Sequence, residues 1–362
     1  MYRPDSEHLA QPVARLHYPC GEAPSAGQAF EIAPGVRWMR LPLPNVLAHI
    51  NVWAIEDGDG WAIVDTGLLS PQCEEAWEAL LAGPLGGRPV TRVIVTHQHP
   101  DHVGMAGWLV DRFQCHLWMT RLEYLHSLAT AAEAGQEVPP EGLAFYRRAG
   151  WDEGALDGYR SRFGRAGRMI SRLPRSFRLM EDGAVVRIGA HDWHVLTGQG
   201  HTPEHACLYS PDLHVMIAGD QVLPRISPNV SVHPMEPDAN PLAGWQASLS
   251  HIRRMVPEDV LVLPAHNDPF EGLHTRIDRF EQSLWRNLAR LRDALREPRR
   301  AVDLFAVLFA VPVTGDDALQ YALATGETVA YLNYLSALGE LQVQAGESGV
   351  AWYRARRPGT AA

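Results

Sequence analysis

Two apolar runs rich in β-branched and aromatic residues, 49–56 and 61–65, flank Asp57-Gly58-Asp59-Gly60, and this pattern predicts a β-hairpin. A helical period follows over 74–81, and 93–95 is a short buried strand that runs straight into a histidine-rich loop. The pattern then predicts a helix over 102–113, a strand over 115–119, and further strands over 185–188, 193–196, 206–209, 215–218 and 260–263. Helices are expected over 241–256 and 273–296. Two strand-rich halves with intervening helices indicate an α/β body.

Residues 121–179 interrupt this alternation with helical composition and Gly/Pro punctuation. They are too long for an ordinary connection, so they read as an inserted helical lid. Arginine dominates the lid's second half: Arg147, Arg148, Arg160, Arg162, Arg165, Arg168, Arg172, Arg175 and Arg178 stand against Asp152, Glu153 and Asp157. Beyond Pro298 the texture changes. Helices over 301–310 and 328–338, a strand at 341–343, the turn Gly346-Glu347-Ser348-Gly349 and a strand at 350–353 suggest a small winged-helix-like domain. The expected division is a catalytic domain over 1–297 and a C-terminal domain over 298–362.

With 362 residues, 46% of them apolar, the chain has ample material for a core and for an appended domain. Its net charge of −10 argues against a broad nucleic-acid surface. All 32 basic residues are arginine, which excludes lysine nucleophiles and Schiff-base chemistry. Cys20, Cys73, Cys115 and Cys207 are scattered, which suits neither a zinc knuckle nor a disulfide framework and points to a reducing compartment. Neither a signal-peptide run nor an apolar span of about 18 residues is evident, so a cytoplasmic, non-membrane protein is expected.

Four potential metal ligands fall in the segment Thr96-His97-Gln98-His99-Pro100-Asp101-His102, directly after an apolar strand. His97 and His99, two apart on an extended loop, can face one metal, and Asp101 and His102 can reach a second. Three more candidates each follow a predicted strand: His201 in Gly198-Gln199-Gly200-His201-Thr202-Pro203-Glu204-His205, Asp220 after Ala218-Gly219, and His266 after Leu263-Pro264-Ala265. Histidine and carboxylate side chains converging from several loops are what a hydrolytic metal site with open positions requires. Glu204 and His205, beside His201, are candidates for an assisting role.

This ordered pattern, spread over roughly 51–266, resembles the metallo-β-lactamase fold superfamily and, within it, the glyoxalase II-like hydrolases. The resemblance implies a four-layer αβ/βα sandwich with the metals at one edge of two sheets. It assigns His97, His99 and His201 to a first ion, Asp101, His102 and His266 to a second, and Asp220 as their bridge. Asp65, ending the early strand in Asp65-Thr66-Gly67, would orient ligands from behind. The C-terminal segment resembles the winged-helix extension of a branch containing bacterial hydrolases and an animal mitochondrial endoribonuclease. Its recognition-type helix carries no arginine, which favours a packing or homodimer role over nucleic-acid binding.

The expected chemistry is hydrolysis by a hydroxide bridging two divalent ions, with Asp101 holding the water. Zinc is the expected metal, and the donor set accepts iron or manganese as well. The expected substrate is an ester or thioester of an anionic small molecule, its anionic group held by Arg165 and Arg168 of the lid. Arg225, Ser227 and Asn229, on the loop after Asp220, are further candidate substrate contacts. Phosphodiester hydrolysis of RNA is the alternative, followed by iron-dependent redox chemistry and a non-catalytic binding role on the same fold.

Overall fold

The structure is a computed structural model in which residues 15–346 and 349–356 are described. Glu347 and Ser348 of the expected wing turn, the start of the chain over 1–14 and its end over 357–362 lie outside the described residues. Two sheets form the body. The first is ordered β1(Ala29–Ala33), β2(Val36–Pro42), β3(His49–Asp57), β4(Gly60–Val64), β5(Val90–Ile94), β6(His116–Met119) and β7(Arg178–Leu179). Its first four strands are antiparallel and the rest join in parallel. The second contains β8(Val185–Ile188), β9(His191–Gly198), β10(His205–Ser210), β11(Val215–Gly219) and β12(Leu261–Pro264), antiparallel except for the β11–β12 pair.

Buried side chains explain why the layers stack. Between the sheets, Trp38, Trp53, Ile55, Val64 and Ile94 of one meet Ile188, Trp193, Val195, Leu208 and Ile217 of the other. The other face of the first sheet packs under α1(Pro71–Ala82) and α3(Ala106–Phe113). The second sheet is covered by α7(Pro241–Met255) and α8(Leu273–Ala294). The result is the expected αβ/βα sandwich. Strands buried on both faces read as continuous apolar runs, which is why Gly60–Val64 and Val215–Gly219 are buried throughout.

Several expectations need correction. The helix foreseen over 102–113 is broken into α2(Pro100–Val103) and α3. The backbone leaves the helix at Met105, whose N–H donates to the Gly67 carbonyl oxygen, and Gly104 beside it packs so closely that a Cβ there would lie 2.4 Å from that same oxygen. Strands β1 and β2 precede the first predicted strand; β1 is the sheet edge, with Phe30 and Glu31 exposed, and β2 lies inside it. The helix expected at 301–310 shortens to a 3-10 turn at Val302–Leu304 and α9(Phe305–Leu308). By contrast, the helix expected at 328–338 begins ten residues earlier, as α10(Ala318–Ala337), because the Asp317 carboxylate caps it by accepting from Leu319 N and Gln320 N. The hairpin β13(Leu341–Ala345) and β14(Ala351–Ala355) completes the C-terminal part.

The insertion comprises α4(Arg121–Ala132), α5(Pro140–Ala149), α6(Glu153–Arg162) and a 3-10 turn at Ala166–Met169. It is not a detached flap. Phe145, Tyr146, Trp151, Leu156 and Tyr159 share one continuous core with α7, α8 and α10. Trp151 Nε1 donates to Thr325 Oγ1 at 2.9 Å, and its ring lies 4.8 Å from that of Tyr321. The insertion and the C-terminal helix therefore roof the sandwich as one packed unit. Among the described residues, no helix is long and apolar enough to cross a membrane.

Candidate metal centre

Strand ends place every candidate ligand. The loop after β5 carries His97 and His99 and leads into α2 with Asp101 and His102. His201 lies between β9 and β10, Asp220 follows β11, and His266 follows β12. Two backbone features make the approach feasible. Gly200 has φ +108°, and a Cβ there would stand 2.4 Å from Trp245 Cβ; Gly219 has φ +50°, and its Cβ would meet His205 Nε2 at 2.5 Å.

Seven side chains converge as two groups, His97, His99, His201 and Asp220 in one, Asp101, His102 and His266 in the other, with the offered ligand atoms of each group within 4.8 Å of one another. In the first, His97 Nε2 lies 3.0 Å from His99 Nδ1 and 3.3 Å from His201 Nε2. Asp220 joins the groups: its Oδ2 is 3.3 Å from His201 Nε2 and 3.6 Å from His102 Nε2, and its Oδ1 is 3.4 Å from His266 Nε2. Asp101 Oδ2 lies 3.4 Å from His266 Nε2.

The outward-facing nitrogens are already engaged. His102 Nδ1 donates to Asp65 Oδ2 at 2.8 Å, His201 Nδ1 to the Asn229 carbonyl at 2.9 Å and His266 Nδ1 to the His49 carbonyl at 3.1 Å. His97 Nδ1 faces Thr96 Oγ1, whose hydroxyl is shared with Asp65. The lone pairs that remain point inward at one another, and His102 Nε2 and Asp220 Oδ1 are buried without a hydrogen bond. Buried polar atoms in that condition are costly unless a cation satisfies them. The donor set thus fits metal ions and is able to bind them.

Electrostatics agree. Burial and the neighbouring imidazoles hold His97 well below its ordinary range and His99 at about 3, so both are neutral donors at pH 7. Burial opposes charge on His102 too, but Asp65, Asp220 and Asp101 outweigh it and lift its pKa. The carboxylates therefore call for positive charge at the second group. Burial would raise the pKa of Asp220, but His266 and His102 drive it well below the carboxylate range.

Asp65 occupies the left-handed region at φ 62°, a conformation Asp tolerates better than most residues. Its carboxylate takes Thr96 N at 2.8 Å as well as the Thr96 hydroxyl and His102. Two further supports are Glu123, which the sequence reading missed, and His205, which it offered as an assisting residue. Glu123, on α4, is fully buried and accepts from Gln98 N at 2.9 Å and Glu204 N at 2.7 Å, clamping the His97 loop to the His201 loop. His205 accepts from Asp220 N at 3.1 Å and holds the backbone of that residue in place. His205 was visible in the sequence as a neighbour of His201, whereas nothing local marked Glu123. Glu204 caps the start of α4 through Leu122 N at 2.8 Å and orients no ligand directly.

A chamber of about 1400 Å³ opens beside His99 and His201, enclosed by the insertion, the loop after β11 and the start of α10. Arg165 and Arg162 border it; Arg168 does not. The expected contacts on the loop after Asp220 also lie outside it. Arg225 pairs with Asp268 at 3.1 Å and covers the Tyr18 ring, and Ser227 is exposed to solvent. Asn229 faces the C-terminal helix instead, where its Nδ2 donates to Glu327 at 3.2 Å. Arg276 of α8 holds the Leu223 and Ile226 carbonyls of this loop.

The chain is similar to known proteins. Residues 47–293 match the family model described as the metallo-beta-lactamase superfamily, and 288–356 match the one described as metallo-beta-lactamase-like, C-terminal domain. A crystal structure of a beta-lactamase domain protein from Burkholderia ambifaria is similar at 40% identity and a TM-score of 0.86, covering 94% of this chain and 98% of that one. One from Thermus thermophilus, a metallo-beta-lactamase family protein, shares the fold at 23% identity and a TM-score of 0.74, covering 90% and 100%. The probable metallo-hydrolase YqjP of Bacillus subtilis (strain 168) is 24% identical over 326 residues, 87% of this chain and 93% of that protein. The chain belongs to the metallo-beta-lactamase superfamily and is a metal-dependent hydrolase.

Proposed function

We propose that the chain is a dinuclear hydrolase of the glyoxalase II-like kind, cleaving a carboxylic ester or thioester of an anionic small molecule. The observation that carries this reading is the position of Asp220, whose two oxygens reach His201 on one side and His102 and His266 on the other. Two divalent ions, held by His97, His99 and His201 and by Asp101, His102 and His266 with Asp220 shared, would supply an activated water at neutral pH and an electrophile for the carbonyl oxygen. Zinc is the proposed metal; iron and manganese suit the same imidazole and carboxylate donors.

Around that chemistry the chain's own groups orient and exclude. Burial alone would raise the Asp101 carboxyl, but His102 and His266 hold it at about 2, so it stays ionised and its Oδ2 can accept a hydrogen bond from the attacking water. Asp65, Asn229 and His49 hold the rings of His102, His201 and His266 in the tautomer that leaves Nε2 free. Arg162 and Arg165, on the chamber wall, suit a single anionic group. Glu133, Glu141, Glu236, Asp316 and Asp317 border the same chamber and would repel a polyphosphate backbone, which weighs against RNA. The C-terminal part, read as winged-helix-like over 298–362, serves in this proposal to pack against the catalytic part over 1–297. Four unpaired thiols support a reducing, cytoplasmic setting.

Metal analysis of the purified protein tests the centre, with about two ions per chain expected. The same preparation is assayed on acyl thioesters, carboxylic esters, a phosphodiester and single-stranded RNA, with and without His97→Ala. Ester or thioester cleavage lost in the variant supports the reading. Metal-free protein that still hydrolyses its substrate, or RNA cleavage abolished by His97→Ala, overturns it.

A further inference from the structure

The chamber is larger than an ordinary small-molecule site of about 300–1,000 Å³. A short polar substrate bridging the ligands would leave most of it filled with water. Its walls combine the charged groups named above with a set of apolar side chains. Leu122 from α4, Tyr146 from α5, Phe163 after α6, Met169 from the 3-10 turn, Met235 from the loop after β11 and Leu319 from α10 all border it. Three of these are large apolar side chains left substantially open: Leu122 at 42%, Leu319 at 52% and Met235 at 63%. Apolar side chains exposed singly on a convex surface need no explanation, but when they converge on one concavity beside candidate ligands they mark a place for apolar material.

The chamber also has a fixed shape. Its roof is tied down by the Trp151–Thr325 hydrogen bond and by the Arg162 guanidinium, which donates to the Ala318 carbonyl. Gly158 of α6 and Ala318 of α10 approach so closely that a Cβ on the former would stand 3.1 Å from the latter's. Walls held in this way save a ligand the cost of ordering them.

We infer that the acyl part of the substrate is a long or bulky apolar group, of about eight carbons or more, housed in this chamber with its carbonyl at the His99 and His201 end. The inference rests on the ester or thioester reading and adds the substrate class to it. The reaction balances as a hydrolysis. The water oxygen forms a bond to the carbonyl carbon, the bond from that carbon to the leaving oxygen or sulfur breaks, and one water proton ends on the leaving group. The products are a long-chain carboxylic acid and an alcohol or thiol.

Each fully buried methylene favours binding by about fourfold, equivalent to about 0.8 kcal/mol, and a partly wet wall yields roughly twofold. The test uses the metal-loaded full chain and p-nitrophenyl acetate, butyrate, octanoate and decanoate, with matched thioesters. From acetate to octanoate, kcat/KM is expected to rise at least about 30-fold, chiefly through KM. Leu319→Arg and Met235→Glu, at open positions where folding tolerates charge, should each cut the octanoate-to-acetate ratio about tenfold. A flat or falling chain-length series overturns the inference while leaving the ester reading intact. If no ester or thioester is cleaved, that reading falls and calorimetric titration with octanoate and acetate decides the chamber's role. Octanoate binding at least tenfold tighter, with the difference lost in Leu319→Arg, supports an apolar chamber, and equal affinities overturn it.

Discussion

Asp65 Oδ2 lies 2.8 Å from His102 Nδ1, in a buried pair where the carboxylate also ties down Thr96, the residue before His97. One side chain thereby orients the His102 ring and anchors the strand end that carries the His97 loop. Asp65→Asn keeps the left-handed backbone and loses the charge. It should weaken metal affinity about 10- to 100-fold, read by competition with a chromophoric chelator. Unchanged affinity would reduce Asp65 to a turn-capping residue.

Asp220 is the only candidate ligand whose oxygens approach histidines of both donor groups, among the described residues. Asp220→Asn should lower bound metal from about two ions towards one per chain by elemental analysis, with kcat down by at least about a thousandfold. Retention of both ions and of activity would show that the two groups act independently.

Arg165 borders the chamber and Arg168 does not. Arg165→Ala should therefore raise KM for an anionic substrate by about tenfold, while Arg168→Ala leaves it within about twofold. Equal effects from the two would assign the lid arginines to a general surface potential, which added salt would erase.

Glu327, in the middle of α10, is partly buried with Asn229 as a partner, and loss of solvent around it pushes its carboxyl up to about 7 although the Asn229 hydrogen bond pulls the other way. Between the ordinary value near 4.5 and about 7, the folded state holds a proton that the unfolded state has lost. Stability therefore falls as pH rises through that window, by on the order of 3 kcal/mol in all, and is flat on either side as far as this group is concerned. Urea unfolding at pH 5 and pH 7.5 should show the loss in the parent and a much smaller one in Glu327→Gln. A matching decline in the variant would assign it to other groups.

Trp151 joins the insertion to α10 through a buried hydrogen bond to Thr325. Thr325→Val leaves Trp151 Nε1 unpaired and should cost about 1–3 kcal/mol in urea unfolding, and Trp151→Ala about 3–5 kcal/mol. Limited proteolysis within 121–179 should quicken in both variants. Undiminished protection would mean that the roof is held by its other contacts.

The sequence by itself determined an α/β body and an ordered set of seven candidate donors, and the family resemblance carried by that order implied the sandwich. Each candidate sits within a few residues of a strand end, and strands buried on both faces announce themselves as continuous apolar runs, so a local reading reached the order of donors along the chain. The hairpin turn at 58–59 and the helices α1, α7 and α8 were legible for the same reason. Beyond Asp65, only the tertiary structure decided what stands behind the donors. Glu123 comes from the inserted segment, and Asn229 turns from the chamber to Glu327, on a loop that Arg276, far along the chain, holds. Likewise Arg165 borders the chamber and Arg168 does not, although the two lie three residues apart. Such relationships depend on long-range burial, in which residues distant in sequence compete for the same enclosed space, and no periodicity along the chain records the outcome.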